Sequence, residues 1–304
     1  MDTQQLNKIL KPDVFNKVSN LEVRARKIVE GYLNGIHRSP YLGNSVEFAS
    51  HREYVPGDNI KNLDWKVWAR SDKLFIKQYE NETNLACNII LDVSKSMDYG
   101  LESDGINKLE TACTIAATFA YLMRRQADAV GLTAFDRKIR VNLKPSSHPS
   151  HMKLIFHELA GLQPDDKTEI HTPLHQLAEL IHKKGLVVLI SDLFVNIESL
   201  NSTLKHFKYF GQDVIVFQVL HSDEIEFPFK DNILFKGMET SVEIQADALS
   251  LKKEYIKVVQ ETNQKIKKTC SKHDCDHVLV STSDSLATVL SSYLNFRQKL
   301  RSKR

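Results

Sequence analysis

The stretch Asp92-Val93-Ser94-Lys95-Ser96-Met97 is dense in oxygen donors and lies between an apolar run and a helical one. An aspartate with serines two and four positions on offers one carboxylate and two hydroxyls to a single point. Hard oxygen ligands of this kind suit Mg²⁺, which holds near-octahedral geometry and keeps waters; Mn²⁺ or Ca²⁺ would be served by the same set. Serine and aspartate at a strand-to-helix turn are also ordinary caps, so the stretch alone leaves ligation and capping both open. Two further positions join it. Asp192 follows the apolar run 186–190 in the same relation as Asp92 to its own run, and Thr168, in DDKTEIHTPL, precedes another helical stretch. Each also reads as a cap, and Thr172 fits that role better than Thr168.

Elements must exist to bring such distant residues together. From residue 84 onward, short β-branched runs alternate with helical stretches. Runs 85–91, 129–135, 186–190, 214–220 and 277–280 read as strands, with 139–143 as a hairpin partner of the second. Residues 108–126 carry Leu109, Ala112, Cys113, Ala116, Phe119, Ala120 and Met123 at helical spacing, and 150–162, 172–182, 198–210, 248–273 and 286–296 are further helices. Apolar strands separated by crossovers of this length need both faces covered, which predicts an α/β fold with a doubly wound, mostly parallel sheet. In such a sheet, ligands bind outside the carboxyl ends of the strands, where Asp92 and Asp192 both fall.

The first 80 residues are of another kind. Residues 14–32 read as a helix, 75–79 as an edge strand leading into the sheet, and 47–70 holds both tryptophans, which read as core anchors, a ligand platform being the alternative, with a turn at Pro56-Gly57-Asp58 and a short helix around Trp65, Trp68 and Ala69. The expected organisation is an extension, 1–80, packed on a main domain, 81–304, that ends in a basic tail. Too few apolar periodic segments lie in the extension for a core of its own.

The spacings of Asp92-x-Ser94-x-Ser96, Thr168 and Asp192 resemble the metal-ion-dependent adhesion site of von Willebrand factor A domains, with Lys167 where that pattern has glycine. Glu47-Phe48, Arg52-Glu53-Tyr54, Gly57-Asp58, Asp64-Trp65 and Ala69-Arg70, followed by Asp92-x-Ser-x-Ser-Met97, narrow the match. Together they resemble the bacterial family called domain of unknown function 58, from about residue 35 to the C-terminus. The resemblance implies a von Willebrand A-like, Rossmann-like domain with an N-terminal helical and short-strand extension. It also implies a Mg²⁺ site at Asp92, Ser94, Ser96, Thr168 and Asp192, and a working association with MoxR-type AAA+ ATPases. Relatives often carry N-terminal membrane segments.

Composition bounds the rest. The 304 residues carry a net charge of +3, and five basic residues lie in the last eight positions (Arg297, Lys299, Arg301, Lys303, Arg304). Removing those five charges from +3 leaves −2, so no basic face for nucleic acid is expected. The longest purely apolar run, 186–190, is far short of the roughly 20 residues of a membrane helix. Four cysteines and a start without an apolar core point to the cytoplasm.

Catalytic signatures are missing. A haloacid dehalogenase-type phosphatase needs a second aspartate two positions after Asp92, where Ser94 stands; the phosphate-binding G-x-x-x-x-G-K-[ST] loop, the G-x-S-x-G elbow and H-E-x-x-H are absent. Cys270, His273, Cys275 and His277 are crowded into eight residues, too close to surround one tetrahedral zinc. The expectation is therefore a non-catalytic module whose cation recruits an acidic side chain from a protein partner. The alternative is a metal-dependent hydrolase, with Asp98, His171 or Asp166 as its general base.

Overall fold

The computed structural model describes residues 12–35, 47–54, 64–71, 74–80, 85–100, 107–164, 176, 178–179, 181, 184–194, 196–238 and 243–301. Helix α1 spans Pro12–Gly35. Strand β1 (Glu47–Glu53), helix α2 (Trp65–Ser71) and strand β2 (Phe75–Glu80) follow. They belong to a compact unit, Ile36–Asn84, distinct from the one formed by Met1–Gly35 with Leu85–Arg304. In the smaller unit β1 and β2 pair antiparallel, Glu53 opposite Phe75. The expected edge strand at 75–79 therefore forms, but in a sheet of its own. A six-residue strand-like run carries no mark of which sheet it will join, and its nearest partner in sequence costs the least loop closure.

The larger unit continues with β3 (Ala86–Asp92), α3 (Lys108–Arg125), β4 (Ala129–Phe135), β5 (Ile139–Ser146), α4 (Pro149–Gly161) and β6 (Gly185–Ser191). Then come α5 (Ile197–Tyr209), β7 (Asp213–Leu220), α6 (Ser222–Glu226), β8 (Asn232–Lys236), β9 (Glu243–Asp247), α7 (Ala248–Lys272), β10 (Asp276–Ser281) and α8 (Leu286–Arg301). Six strands form one sheet in the order β10-β7-β6-β3-β4-β5. Every neighbouring pair is parallel except β4–β5. This is the doubly wound, mostly parallel sheet expected of a von Willebrand A-like domain. The chain begins at the centre with β3, winds outward through β4 and β5, then crosses back to β6 beside β3 and winds the other way. The winding direction therefore reverses between β3 and β6, which opens a crevice at their carboxyl ends.

Burial explains the composition of the strands. All seven residues of β6 are buried, and so are the last four of β3, because helices cover both faces and no position alternates to solvent. On one face lies α3, buried at nearly every position. A helix apolar all round must be covered on all sides. Phe119 meets Phe217 of the sheet edge-to-face at 5.4 Å, and Leu21, Ala25, Ile28 and Val29 of α1 join the same core from the other side. On the opposite face Leu200, Leu204 and Phe207 of α5 and Ile266 and Cys270 of α7 pack on Val187, Leu189, Val214 and Val216.

The antiparallel pair β8–β9 was not expected from sequence; its five-residue strands are largely exposed and show no run of core residues. The helix expected at 172–182 lies mostly outside the described residues.

Where β3 and β6 run side by side, Gly185 sits opposite Ala86. A Cβ on Gly185 would lie 2.2 Å from the Ala86 carbonyl oxygen, so the strands can approach only because it is absent. Gly185→Ala is expected to destabilise the protein by about 2–3 kcal/mol, as overpacked cores do. Gly161→Ala, with nothing within 4 Å of the added carbon, is expected to be neutral or slightly stabilising. Urea unfolding of both variants checks this, and equal midpoints would refute the tight approach of β3 and β6.

Candidate functional site at the carboxyl edge of the sheet

Asp92 ends β3 and is completely buried. One oxygen, Oδ1, accepts the Ser94 N–H at 2.9 Å; the other, Oδ2, accepts the Ser191 hydroxyl at 2.6 Å from the end of β6. The Val93 N–H donates to the Phe135 carbonyl at 2.8 Å, which fixes the chain as it leaves the sheet. A single 3₁₀ turn, Lys95–Asp98, follows, anchored by the buried Met97. Ser94 therefore acts at a turn start, but its side chain makes no capping bond. Its hydroxyl instead lies 3.0 Å from that of Ser96, so the two serines present their oxygens together beside Asp92.

Asp192 follows β6 and is also buried. Its Oδ1 accepts the Phe194 N–H at 3.3 Å, and the Leu193 N–H donates to the Ser191 hydroxyl at 3.0 Å. These bonds require a sharp reversal, and Leu193 adopts it with φ of 57°. A branched residue in the left-handed region is strained, a cost that tends to be found at functional loops. The structure thus brings Asp92, Ser94, Ser96 and the Asp192 loop to adjacent ends of the two central strands. Thr168 and the neighbouring Lys167 lie outside the described residues, as do Asp166 and His171.

Four participants had no place in the sequence-based reading. Ser191 links the two aspartate loops. Lys108, at the first position of α3, is fully buried, and its Nζ donates to Asp192 Oδ2 at 2.9 Å and to Glu224 Oε1 at 2.7 Å. Glu224 in turn accepts the His221 N–H at 2.8 Å as part of the capping box of α6. The exposed Phe194 ring covers the ammonium from outside, 4.9 Å from Nζ to the ring centre. A signal existed for Lys108: a cation in the first turn runs against the helix dipole, so it needs a carboxylate nearby.

The electrostatics follow from burial. Removal from water pushes the Asp92 carboxyl up to about 7, and the Asp192 charge adds to this, while the hydrogen bonds from Ser191 and Ser94 oppose it. Burial works against the Lys108 charge, but Asp192 and Glu224 outweigh it and hold the ammonium above its ordinary value. Among the described residues, no group of three or more His, Cys, Asp or Glu side chains is placed to hold a metal ion. A cation at this edge would therefore need the serine hydroxyls and water beside the carboxylates. Such an all-oxygen donor set suits a hard divalent ion.

Other candidate chemistry is spent on structure. His273 Nε2 lies 2.9 Å from Asn201 and His277 Nε2 lies 3.0 Å from Gln218, while Cys270 and Cys275 are buried with thiols pushed up to about 12 by burial. Asp98 accepts from Lys95 at 2.7 Å and from Asn107 at 3.4 Å. Trp65 and Trp68, expected as core anchors, are exposed and meet edge-to-face at 6.0 Å. No helix among the described residues is long and apolar enough to cross a membrane.

Comparison with known proteins gives a family match over residues 50–265, to the family described as "Protein of unknown function DUF58". An uncharacterised protein of Mycobacterium tuberculosis (strain H37Rv) is 21% identical over 238 residues, covering 76% of this chain and 73% of that protein. Among solved structures, the chain is similar to the conserved hypothetical protein BatB from Bacteroides thetaiotaomicron, at 17% identity and a TM-score of 0.43, covering 71% of this chain and 99% of that one. It is also similar to an aerotolerance-related membrane protein from Bacteroides fragilis, at 16% identity and a TM-score of 0.46, covering 69% of this chain and 96% of that one.

Asp92 ties the stability of the cation-free protein to pH. Its carboxyl, ordinarily at 3.8 and here raised to about 7, favours the folded state when protonated. That contribution is whole below about pH 4 and is lost as pH rises through 7. Thermal melts in chelator are expected to lose a few °C between pH 5 and pH 8 in the wild type. Asp92→Asn, with no charge to bury, is expected to lose less. Equal slopes in the two proteins would show that Asp92 is not the titrating group.

Proposed function

The chain belongs to the DUF58 family, and we propose that it is a non-catalytic protein-binding module whose cation site takes an acidic side chain from a protein partner. The observation that carries this reading is the pairing of two buried aspartate loops at the winding reversal, bridged by Ser191 and faced by the Ser94 and Ser96 hydroxyls. Asp92, Ser94, Ser96 and Asp192, with Thr168, would hold Mg²⁺, or Mn²⁺ or Ca²⁺ in its place. When bound, the cation supplies an open coordination position for a carboxylate oxygen. The chain's own part is to keep the donors converged and shielded. Two buried carboxylates attract a hard cation strongly because no water screens them.

The resemblance to relatives that work with MoxR-type AAA+ ATPases makes such an ATPase the first partner to test, in the cytoplasm, in the assembly or activation of other proteins. A hydrolytic use of the same cation would need a base, and Asp98 is tied to Lys95 and Asn107.

Asp92→Ala is expected to keep its fold, lose Mg²⁺ binding and lose capture of a MoxR-type ATPase from the native host. Chelation of the wild type is expected to reproduce that loss. Capture unchanged in a folded Asp92→Ala protein would remove the support for cation-bridged binding. Turnover of phosphoesters in Mg²⁺ or Mn²⁺ that disappears in Asp92→Ala while capture survives would instead establish the hydrolase.

A further inference from the structure

Lys108 is a permanent cation built against the proposed metal site. Its side chain is fully buried, and it reaches two carboxylates that come from distant parts of the chain, Asp192 after β6 and Glu224 in α6. A buried ammonium is retained only where its partners offset its desolvation, and here they are one residue of the cation site and one residue behind it. With Asp92, Asp192 and Glu224 ionised, three carboxylates against one ammonium leave the cluster at −2. A divalent ion then brings it to zero. Without Lys108 the same loaded site would stand at −1, and an incoming carboxylate would meet a net like charge across a few ångströms of poorly screened space.

Resting on the binding reading above, we infer that Lys108 sets the charge of the loaded site, weakening its hold on the cation and strengthening its hold on an acidic ligand. The two effects have opposite signs, which separates a charge-setting role from mere support of the fold. Loosening the structure would weaken both. Phe194 contributes by covering the ammonium, which keeps water from screening it.

The test uses Mn²⁺ as the cation and acetate as the acidic probe, read by water-proton relaxation of the bound Mn²⁺, in the full chain. Lys108→Met is expected to bind Mn²⁺ on the order of tenfold more tightly and to take acetate on the order of tenfold more weakly than the wild type. Glu224→Gln keeps the Lys108–Asp192 pair and removes one negative charge, so it is expected to shift both affinities the other way. Should Lys108→Met fail to fold by circular dichroism, Glu224→Gln decides alone. Mn²⁺ binding absent from the wild type, or kept in Asp92→Ala, overturns the site reading and this inference with it. Mn²⁺ binding that depends on Asp92, with variant affinities that stay put or move in the same direction, overturns this inference only.

Discussion

Two buried aspartates at the ends of neighbouring strands set the terms for the structure around them. Asp92 and Asp192 lie where the sheet reverses its winding, out of reach of solvent, and like charges in a poorly screened space repel strongly. Each surrounding contact offsets part of that cost. The Ser94 N–H and the Ser191 hydroxyl serve Asp92, the Phe194 N–H and the Lys108 ammonium serve Asp192, and Glu224 holds Lys108 from behind. Even the strained backbone of Leu193 serves this end, since it turns the chain so that two N–H groups point back at the loop.

The placement of Lys108 depends in turn on the layers. It opens α3, the helix caged between the sheet and α1, so its backbone cannot swing outward to hydrate the charge. Asn107 fixes the start of that helix, accepting the Glu110 N–H at 2.7 Å, and the Lys108 N–H donates to the Tyr99 carbonyl at 3.2 Å. The polar edge and the apolar interior are therefore one design. The covered helix delivers its first residue to the crevice, and the crevice holds that end of the helix through an ion pair.

Much of this was readable from residue types alone. Asp92 and Asp192 stand out because each follows an apolar run; the five apolar residues 186–190, without alternation, mark a strand covered on both faces, and parallel strands end on one side. The pairing of Asp92 with Ser94 and Ser96 followed from their alternation. What stayed hidden was long-range. Lys108 meets partners 84 and 116 residues away; its place against the helix dipole hints at a carboxylate nearby but not at which one. The β8–β9 pair was invisible because its strands are five residues long and mostly exposed, too short for any alternation to stand out. Which sheet 75–80 joins is not legible because a short strand-like run shows that it will pair but not with what. The tryptophans misled for a related reason: size suggests a core anchor, yet a large aromatic also sits at the surface when its neighbours are few.

Helix α1 has a consequence for how the protein is made. Its apolar stripe packs on α3 and α4 and also against α8, which is formed by the last helical stretch of the chain. At a ribosome adding about 5–20 residues per second, tens of seconds separate the synthesis of α1 from that of α8, the cover it waits for. During that interval Leu21, Ile28 and Val29 are bare or only partly matched, and β10, the last strand of the sheet, is also still to come. The nascent chain thus carries a sticky helix until α8 has been made, and the interval between the two is when it is most open to aggregation.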